Sequence, residues 1–311
     1  MSRPRRPSGA RIRDVIGRRV RGPYAAIGRI EERLAQLDVR IERVQELLRD
    51  EVRHALMGLA ADEAENRRRL SAVRRDQDYE AAWNERQPLV SVTVATLGRA
   101  ELFTRSLPSI LAQSHGELEV IVVGDGAGEE TGAKVEAIGD PRVRYRDLGP
   151  RQPWTDDPGR LWLAGATRAR NAAVGEARGR WIVEFDDDDA MRPRCIESLL
   201  TLARETRAEA VYGRLLIHEG GGEREIGEFP PRHSQFSWAA GMYHFGLCFF
   251  ERQLIAADLG IPGDWWLAER MLRAGVRFAM LGEVLCDVYG SPRKAAALEA
   301  GPLPWAEDRR G

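Results

Sequence analysis

The segment WIVEFDDDD, at residues 181–189, is a short apolar run that ends in four consecutive aspartates. The apolar run has the composition of a buried β-strand, and the residues after the aspartates read as a turn into a helix at 195–203. Four adjacent carboxylates repel one another unless a cation neutralises them. Because open α/β sheets hold ligands at the C-terminal ends of their strands, the run predicts a divalent cation with a bound diphosphate. A solvated acidic loop or a weak calcium site is the alternative.

Further strands and helices alternate on both sides of this segment. Strand-like runs occupy 89–95, 119–123 and 143–146, and helical patterns occupy 101–113, 129–138 and 167–177. Such alternation predicts an α/β fold with a mainly parallel sheet flanked by helices. Right-handed crossovers would bring the strand ends at Thr96, Asp125 and Asp186 to one edge of that sheet. We therefore expect a binding crevice at this edge.

The N-terminal third of the chain has a different pattern. Apolar residues alternate three- and four-residue steps, as in the seam of a coiled coil, at Ile27, Ile30, Leu34, Leu37, Ile41, Val44 and Leu48. The pattern predicts a helical, coiled-coil-like region over 23–87, with a boundary at Pro88 and homo-oligomerisation through residues 24–50. A seam folded back on the following domain is the alternative. Residues 1–22 are arginine-rich, and they are interpreted as a flexible basic tail or a helix that contacts an anionic membrane.

Composition narrows the classes of function. The 311 residues carry 47 basic and 48 acidic side chains, so no overall charge favours nucleic acid as a partner, and 43% are hydrophobic, enough for a large core. Three widely spaced cysteines form no C-x-x-C pair, which fits a reducing cytoplasm better than a disulfide framework or a zinc knuckle. No secretory signal or transmembrane run is recognised, so a cytoplasmic protein is expected, with possible peripheral contact at the inner membrane face.

Four segments in order resemble the family 2 glycosyltransferases of GT-A fold. These are residues 92–99 with 107–114, residues 119–126, the stretch 169–182 before the aspartates, and the acidic-aromatic helix start at 264–267. The run 185–189 with Pro193 is similar to the family's D-x-D-D pattern. The resemblance covers about residues 89–290, and it implies a GT-A domain over 88–290 followed by a C-terminal tail at 291–311.

The resemblance also implies roles for individual residues, each of which is an expectation at this point. Thr96 and Asp125 would hold the nucleotide base and ribose, with Arg99 nearby, and Arg170 would contact the diphosphate. Asp186 and Asp188 would bind Mn²⁺ or Mg²⁺, and Asp187 would bond to the donor or to the turn. Asp264 would be the general base, although a helix N-cap is the alternative interpretation of that residue.

Two departures from the family pattern concern the nucleotide. The tyrosine of the usual P-T-Y-N-R is absent from 95–99, and Gly124 replaces the first aspartate of the common D-D-G turn.

His244 is the histidine best placed by sequence to complete a metal site, with a packing role as the alternative.

The function that these patterns favour is inverting, metal-dependent transfer of a sugar by a hexosyltransferase-like enzyme. The donor would be a UDP-, GDP- or dTDP-sugar and the acceptor a hydroxyl group of unknown source. Two alternatives remain: an inactive nucleotide-sugar-binding scaffold, and a nucleotidyltransferase on a similar sheet.

Overall fold

Four apolar runs form the parallel half of the sheet. In the computed structural model they are β1 (Val90–Thr96), β2 (Leu118–Gly124), β3 (Val143–Asp147) and β4 (Trp181–Asp186). β1 lies between β2 and β4, and β3 pairs with β2, all in parallel. The side chains of β1 and β2 are buried along their whole length, as expected for strands covered on both faces. The predicted strands are confirmed.

The structure describes residues 33–34, 36–37, 40–41, 43–45, 62–150, 155, 157–164 and 166–290. It divides into two compact units, Met1–Asp62 and Glu63–Gly311. The predictions for 1–22 and 291–311 lie outside the described residues, as does most of the predicted coiled coil.

The second half of the sheet is mixed. Its strands are β5 (Ala190–Met191), β6 (Ala210–Glu219), β7 (Gly222–Ile226), β8 (Gly241–His244) and β9 (Phe278–Tyr289). The strand order across the sheet is β3-β2-β1-β4-β8-β6-β9-β5, with β7 paired to β6. β8 runs antiparallel to both β4 and β6, whereas β9 is parallel to β6. The predicted α/β class with a mainly parallel sheet is confirmed.

Helices cover the two faces of this sheet. The helices are α1 (62–73), α2 (Ala81–Asn84), α3 (Leu107–Leu111, after a π-helical turn Leu102–Ser106), α4 (Glu129–Glu136), α5 (Pro158–Ala164), α6 (Thr167–Gly175), α7 (Cys195–Thr206), α8 (Ile255–Asp258) and α9 (Gly263–Ala274). Alternation along β4 separates two cores, because neighbouring side chains of a strand point to opposite faces. Trp181, Val183 and Phe185 pack in the core that includes α3 and α7, and Ile182 packs in the core with α6 and α9.

Residues 62–84 pack within the same unit as the sheet. Leu70, Tyr79 and Trp83 are almost fully buried. The Trp83 indole N–H donates to the Ala208 carbonyl at 3.1 Å, and Arg74 Nε lies 2.6 Å from a Glu209 carboxylate oxygen. These contacts hold the segment preceding Pro88 against the start of β6.

In the other unit, Met1–Asp62, the residues that the structure describes between 33 and 45 are helical. Leu34, Leu37, Ile41 and Val44 each expose 50 to 55% of their surface. Four members of the predicted seam are therefore helical and accessible within a single chain.

Candidate functional site

Three strands end at one edge of the sheet and bring their polar residues together. Thr96 ends β1, Asp125 follows β2, and Asp186 ends β4. The register pairs Thr96 with Gly124 and Ala95 with Asp186, and the Asp125 N–H donates to the Thr96 carbonyl at 3.0 Å. The crevice that sequence predicted at this edge therefore has its polar residues in one place.

Thr96 links the first strand to the aspartate run. Its side chain is 2% exposed, and its hydroxyl donates to Asp187 at 2.7 Å. The same oxygen accepts the Gly98 N–H at 3.0 Å, across a turn in which Gly98 has a φ of +86°. Arg99, at the end of that turn, pairs with Asp187 at 3.2 Å and also with Asp188. The loop after β1 is thus held directly against the aspartates.

Arg170 supplies a second cation to the run. It lies in the first half of α6, and its guanidinium pairs with Asp186 while standing 3.9 Å from Glu184. Its side chain is only 14% exposed, so the pair is largely shielded from water. Arg99 and Arg170 together neutralise part of the negative charge that the sequence concentrates at 186–189.

The remaining charge of the run is still unfavourable. Burial, and after it the repulsion from Asp186, raise the pKa of Asp188 to about 6. Burial likewise raises the pKa of Asp189, which accepts the Tyr289 N–H at 3.0 Å. The pKa of Asp187 is raised mainly by burial, with Arg99 opposing the shift. A further cation at this edge would lower the energy of the ionised run.

Asp186 and Asp188 fit a hard divalent cation by their chemistry. They offer carboxylate oxygens, the ligands that Mg²⁺ and Mn²⁺ take in proteins. Asp186 keeps 40% of its side chain exposed and Asp188 18%, so both are reachable from solvent. Among the residues that the structure describes, no three His, Cys, Asp or Glu side chains are already arranged around a metal position. The metal prediction for these two residues stays a prediction.

Asp264 lies in the first turn of α9, close to the same charges. Its carboxylate accepts the Trp265 N–H at 2.8 Å. The N-cap of α9 is Pro262, so the alternative interpretation of Asp264 as the helix N-cap is wrong. Its carbonyl accepts the Trp238 indole N–H at 3.1 Å. Asp264 is also one of the carboxylates whose charge acts on Arg170. The charge of the predicted base therefore acts on the same arginine that pairs with Asp186.

Asp125 faces an arginine that sequence analysis did not single out. It is 3% exposed, and Arg168 Nη1 lies 3.4 Å from its carboxylate. Asp147, at the end of β3, accepts the N–H groups of Gly126 and Gly128 at 3.3 and 3.2 Å. Arg168 stands two residues before Arg170 in α6, a spacing that puts the two side chains on different faces of the helix, so the sequence offered no local signal for it.

A buried ion pair beneath the aspartates was also missed. Glu184, in the middle of β4, is 2% exposed, and Arg252 Nε lies 2.7 Å from its carboxylate. Asn171, in α6, exchanges two hydrogen bonds with the Arg252 backbone, both 2.9 Å long. A charged residue inside the apolar run 181–185 was the signal, since a buried carboxylate requires a partner.

His244 packs at the opposite end of β4 from the aspartates. It is paired in register with Trp181, the first residue of that strand. Its Nδ1 accepts the Gly246 N–H at 2.9 Å, which leaves Nε2 to donate to the Tyr79 carbonyl at 3.0 Å. The ring stacks on Trp83 at a centroid distance of 4.8 Å. Of the two roles considered for His244, packing is the one observed.

Within the described residues, helices long and apolar enough to cross a membrane are not found.

Part of the chain matches a known sequence family: residues 162–253, from α5 to just after Arg252, match the profile described as Glycosyl transferase family 2.

Two curated proteins are similar to part of this chain. Succinoglycan biosynthesis protein ExoO of Rhizobium meliloti is 37% identical over 42% of this chain and 34% of its own length. The putative colanic acid biosynthesis glycosyl transferase WcaA of Escherichia coli is 26% identical over 55% of this chain and 63% of its own. The chain thus spans between about one third and two thirds of the length of these relatives.

A solved structure shares the fold. The S. aureus TarS fragment 1–349 in complex with UDP superposes with a TM-score of 0.52 at 18% identity, covering 68% of this chain and 63% of that fragment. The family match, the relatives named as glycosyltransferases and the GT-A-type sheet agree with the resemblance found in the sequence. Residues 162–253 thus match glycosyl transferase family 2, and the sheet domain has the GT-A fold of its structural neighbours.

Proposed function

We propose that this protein is an inverting glycosyltransferase that moves a sugar from a nucleoside-diphosphate donor to an acceptor hydroxyl. The observation that carries the proposal is the meeting of Thr96, the aspartate run and Arg170 at one edge of the sheet, with Asp264 acting on the same arginine. A site for an anionic diphosphate and a carboxylate base is what such a transfer needs.

Each side of the crevice has its own part in donor binding. Thr96 and Asp125 hold the nucleotide base and ribose, and Arg99 and Arg170 offer positive charge to the diphosphate. Asp186 and Asp188 would hold Mn²⁺ or Mg²⁺, and Asp187 orients the turn through Thr96. Since Arg99 and Arg170 pair with the aspartates in this structure, donor binding requires them to share those pairs with the phosphates.

The transfer is a single displacement. Asp264 accepts the proton of the acceptor hydroxyl as its oxygen attacks the anomeric carbon from the face opposite the diphosphate. The bond from that carbon to the β-phosphate oxygen breaks, the nucleoside diphosphate leaves, and the configuration inverts. A bound divalent cation stabilises the negative charge on the leaving diphosphate.

Relatives suggest where to begin the search for substrates. TarS has been solved with UDP and with UDP-GlcNAc, so UDP-sugars are the first donors to test, before GDP- and dTDP-sugars. Two relatives, from Campylobacter jejuni and E. coli, are named as glucosyltransferases acting on diphosphoundecaprenol-linked sugars. We propose an acceptor of this lipid-linked kind, met at the inner membrane face by a cytoplasmic protein. Binding to anionic vesicles that is lost when residues 1–22 are removed would support that location.

A donor panel with matched variants tests the function. UDP-, GDP- and dTDP-sugars are screened for binding and for slow hydrolysis, with and without Mn²⁺. Asp188→Asn should weaken Mn²⁺-dependent donor binding, and Asp264→Asn should lower the turnover rate about a hundredfold or more while donor binding persists. Asp78→Asn, on an exposed turn, should change neither.

Other outcomes would favour the alternatives. Pyrophosphate release from a nucleoside triphosphate would indicate a nucleotidyltransferase. Donor binding without transfer, together with biological activity that survives both Asp188→Asn and Asp264→Asn, would indicate a scaffold. If no donor binds with or without Mn²⁺, the transferase proposal is wrong.

We also propose that the chain forms a parallel homodimer through residues 24–50. With Leu34 and Leu37 in the seam, the flanking positions are basic on one side (Arg33, Arg40) and acidic on the other (Glu31, Asp38). Two parallel copies place these opposite charges against each other, whereas antiparallel copies oppose like charges.

The mass of the full chain in solution tests this interface. Leu37→Glu puts a charge in the seam and should convert dimers to monomers. Gln36→Glu adds the same charge one residue away, at an exposed position outside the seam, and should leave the dimer intact. A monomeric unaltered chain would contradict the proposal and favour a seam covered by the chain itself or by a membrane.

A further inference from the structure

Glu184 is a carboxylate placed where the fold expects an apolar side chain. It lies two residues before Asp186 on the same face of β4, beside the core formed with α6 and α9. At 2% exposure it is removed from water, and an uncompensated charge at such a position is strongly destabilising.

Three side chains compensate this charge. Arg252 Nε lies 2.7 Å from Oε2, and the Tyr243 hydroxyl donates to Oε1 at 2.9 Å. The third is Arg170, whose Nη1 stands 3.9 Å from Oε2 while its Nη2 pairs with Asp186. Arg170 therefore lies between two carboxylates, one buried and one at the crevice.

Arg252 connects the elements that carry the proposed donor and base residues. Its side chain is 8% exposed, and its backbone exchanges two hydrogen bonds with Asn171, the neighbour of Arg170 in α6. Its Nη1 lies 3.5 Å from the position that a Cβ on Gly263 would take, beside the turn that presents Asp264. The Arg252 guanidinium thus pairs with β4 and lies beside the start of α9, and the Arg252 backbone is hydrogen-bonded to α6.

We propose that Arg252 is a positioning residue that prevents Glu184 from competing with Asp186 for Arg170. With Arg252 present, Glu184 is already neutralised, and Arg170 stays at the crevice where an anionic diphosphate can reach it. Without Arg252, the nearest cation to the buried Glu184 carboxylate is Arg170, which would turn inward to that carboxylate. The inference rests on the proposed function, because Arg170 and Asp186 belong to the proposed donor site.

Arg252→Gln should weaken nucleotide binding without weakening Mn²⁺ binding. Asp186 loses its arginine partner, so free Mn²⁺, followed by electron paramagnetic resonance, should bind equally well or several-fold more tightly. The diphosphate loses Arg170, so the tightest binder among UDP, GDP and dTDP should bind about tenfold more weakly at saturating Mn²⁺. The double variant Glu184→Gln/Arg252→Gln no longer attracts Arg170 inward and should recover nucleotide affinity to within about threefold of the unaltered chain.

The fold contains a matched control at the other end of the sheet. Glu209, fully buried before β6, is compensated by Arg74 and by the Tyr79 hydroxyl, the same residue types that surround Glu184. Arg74→Gln should lower the thermal unfolding temperature as Arg252→Gln does, yet leave both ligand affinities unchanged.

Several results would overturn the inference. Arg252→Gln could weaken Mn²⁺ binding and nucleotide binding equally, or leave nucleotide affinity unchanged. The double variant could fail to recover nucleotide affinity. Arg74→Gln could change the two ligand affinities in the same way as Arg252→Gln. If the unaltered chain binds neither Mn²⁺ nor any of the three nucleotides, the proposed function fails together with the inference. If the unaltered chain binds these ligands but Arg252→Gln does not weaken nucleotide binding selectively, the inference alone is overturned.

Discussion

Gly124 illustrates how a single residue departs, for a local reason, from the pattern of the family that the sequence resembles. A Cβ at this position would lie 2.5 Å from the Tyr145 hydroxyl, 3.0 Å from the Ala127 Cβ and 3.1 Å from an Asp147 oxygen. Real side chains do not approach so closely, so the space that an aspartate would need is filled from β3 and the loop after β2. The missing aspartate of the D-D-G turn is therefore explained by Tyr145 and Asp147.

A methyl group at Gly124 should destabilise the protein. Because the neighbours on two sides must move, Gly124→Ala is expected to cost about 1 to 3 kcal/mol of unfolding free energy, measured by urea denaturation. Gly116→Ala is the control, since a Cβ there meets nothing within 4 Å. It should be neutral or slightly stabilising. Equal effects of the two variants would contradict the packing argument.

At the scale of elements, the segment 62–84 behaves as part of the sheet domain. Trp83 packs edge-on against Trp181 at a centroid distance of 5.6 Å, and Tyr79 and Arg74 both bond to Glu209. The domain limits drawn from sequence at 23–87 and 88–290 remain a prediction, and these contacts provide a way to test them.

Truncation separates the two possible limits. A chain that begins at residue 62 keeps every contact described above and should unfold at the same temperature as the full chain. A chain that begins at residue 88 loses the bonds of Arg74 and Tyr79 to Glu209, which keeps Arg277 as its partner, and it also loses the buried Trp83. It should therefore unfold at a lower temperature than the full chain. Equal thermal unfolding of both chains would place the limit at Pro88.

At the scale of the whole molecule, the buried His244 makes stability depend on pH. Burial lowers its pKa from 6.5 to about 4, and its Nδ1 already accepts the Gly246 N–H, so a second ring proton has no acceptor. Below pH 6.5 the unfolded chain takes up a proton that the folded chain refuses until about pH 4. Stability is therefore lost as pH falls through this window, by about 3 kcal/mol in total.

A variant isolates this contribution from that of the carboxylates. The aspartates at 187–189 have raised pKa values and act in the opposite direction, gaining stability as they are protonated. His244→Asn removes only the histidine term, so its difference in unfolding free energy from the unaltered chain should shrink between pH 6.5 and pH 4. A difference independent of pH would mean that His244 does not titrate in this window.

Much of the fold could be predicted from sequence, because its signals are local. β2 and β4 are mostly apolar runs, β1 and β3 alternate apolar with polar residues, and α6 and α7 carry clear helical periodicity, so each was located within a few residues. Part of the site could be predicted for the same reason: strand ends of a parallel sheet share an edge, whatever the details of packing. Arg168, Glu184 and Arg252 could not be assigned, because their importance depends on contacts between distant parts of the chain.

The sequence by itself determined the sheet, its polar edge and the aspartates that stand there, because hydrophobic period and strand direction are properties of neighbouring residues. Only the tertiary structure decided which cations meet those aspartates and which carboxylate lies beneath them. Arg99 reaches Asp188 across 89 residues, and Arg252 reaches Glu184 across 68. Such pairs form where burial removes water and two charges must satisfy each other, and that condition exists only once the chain has folded.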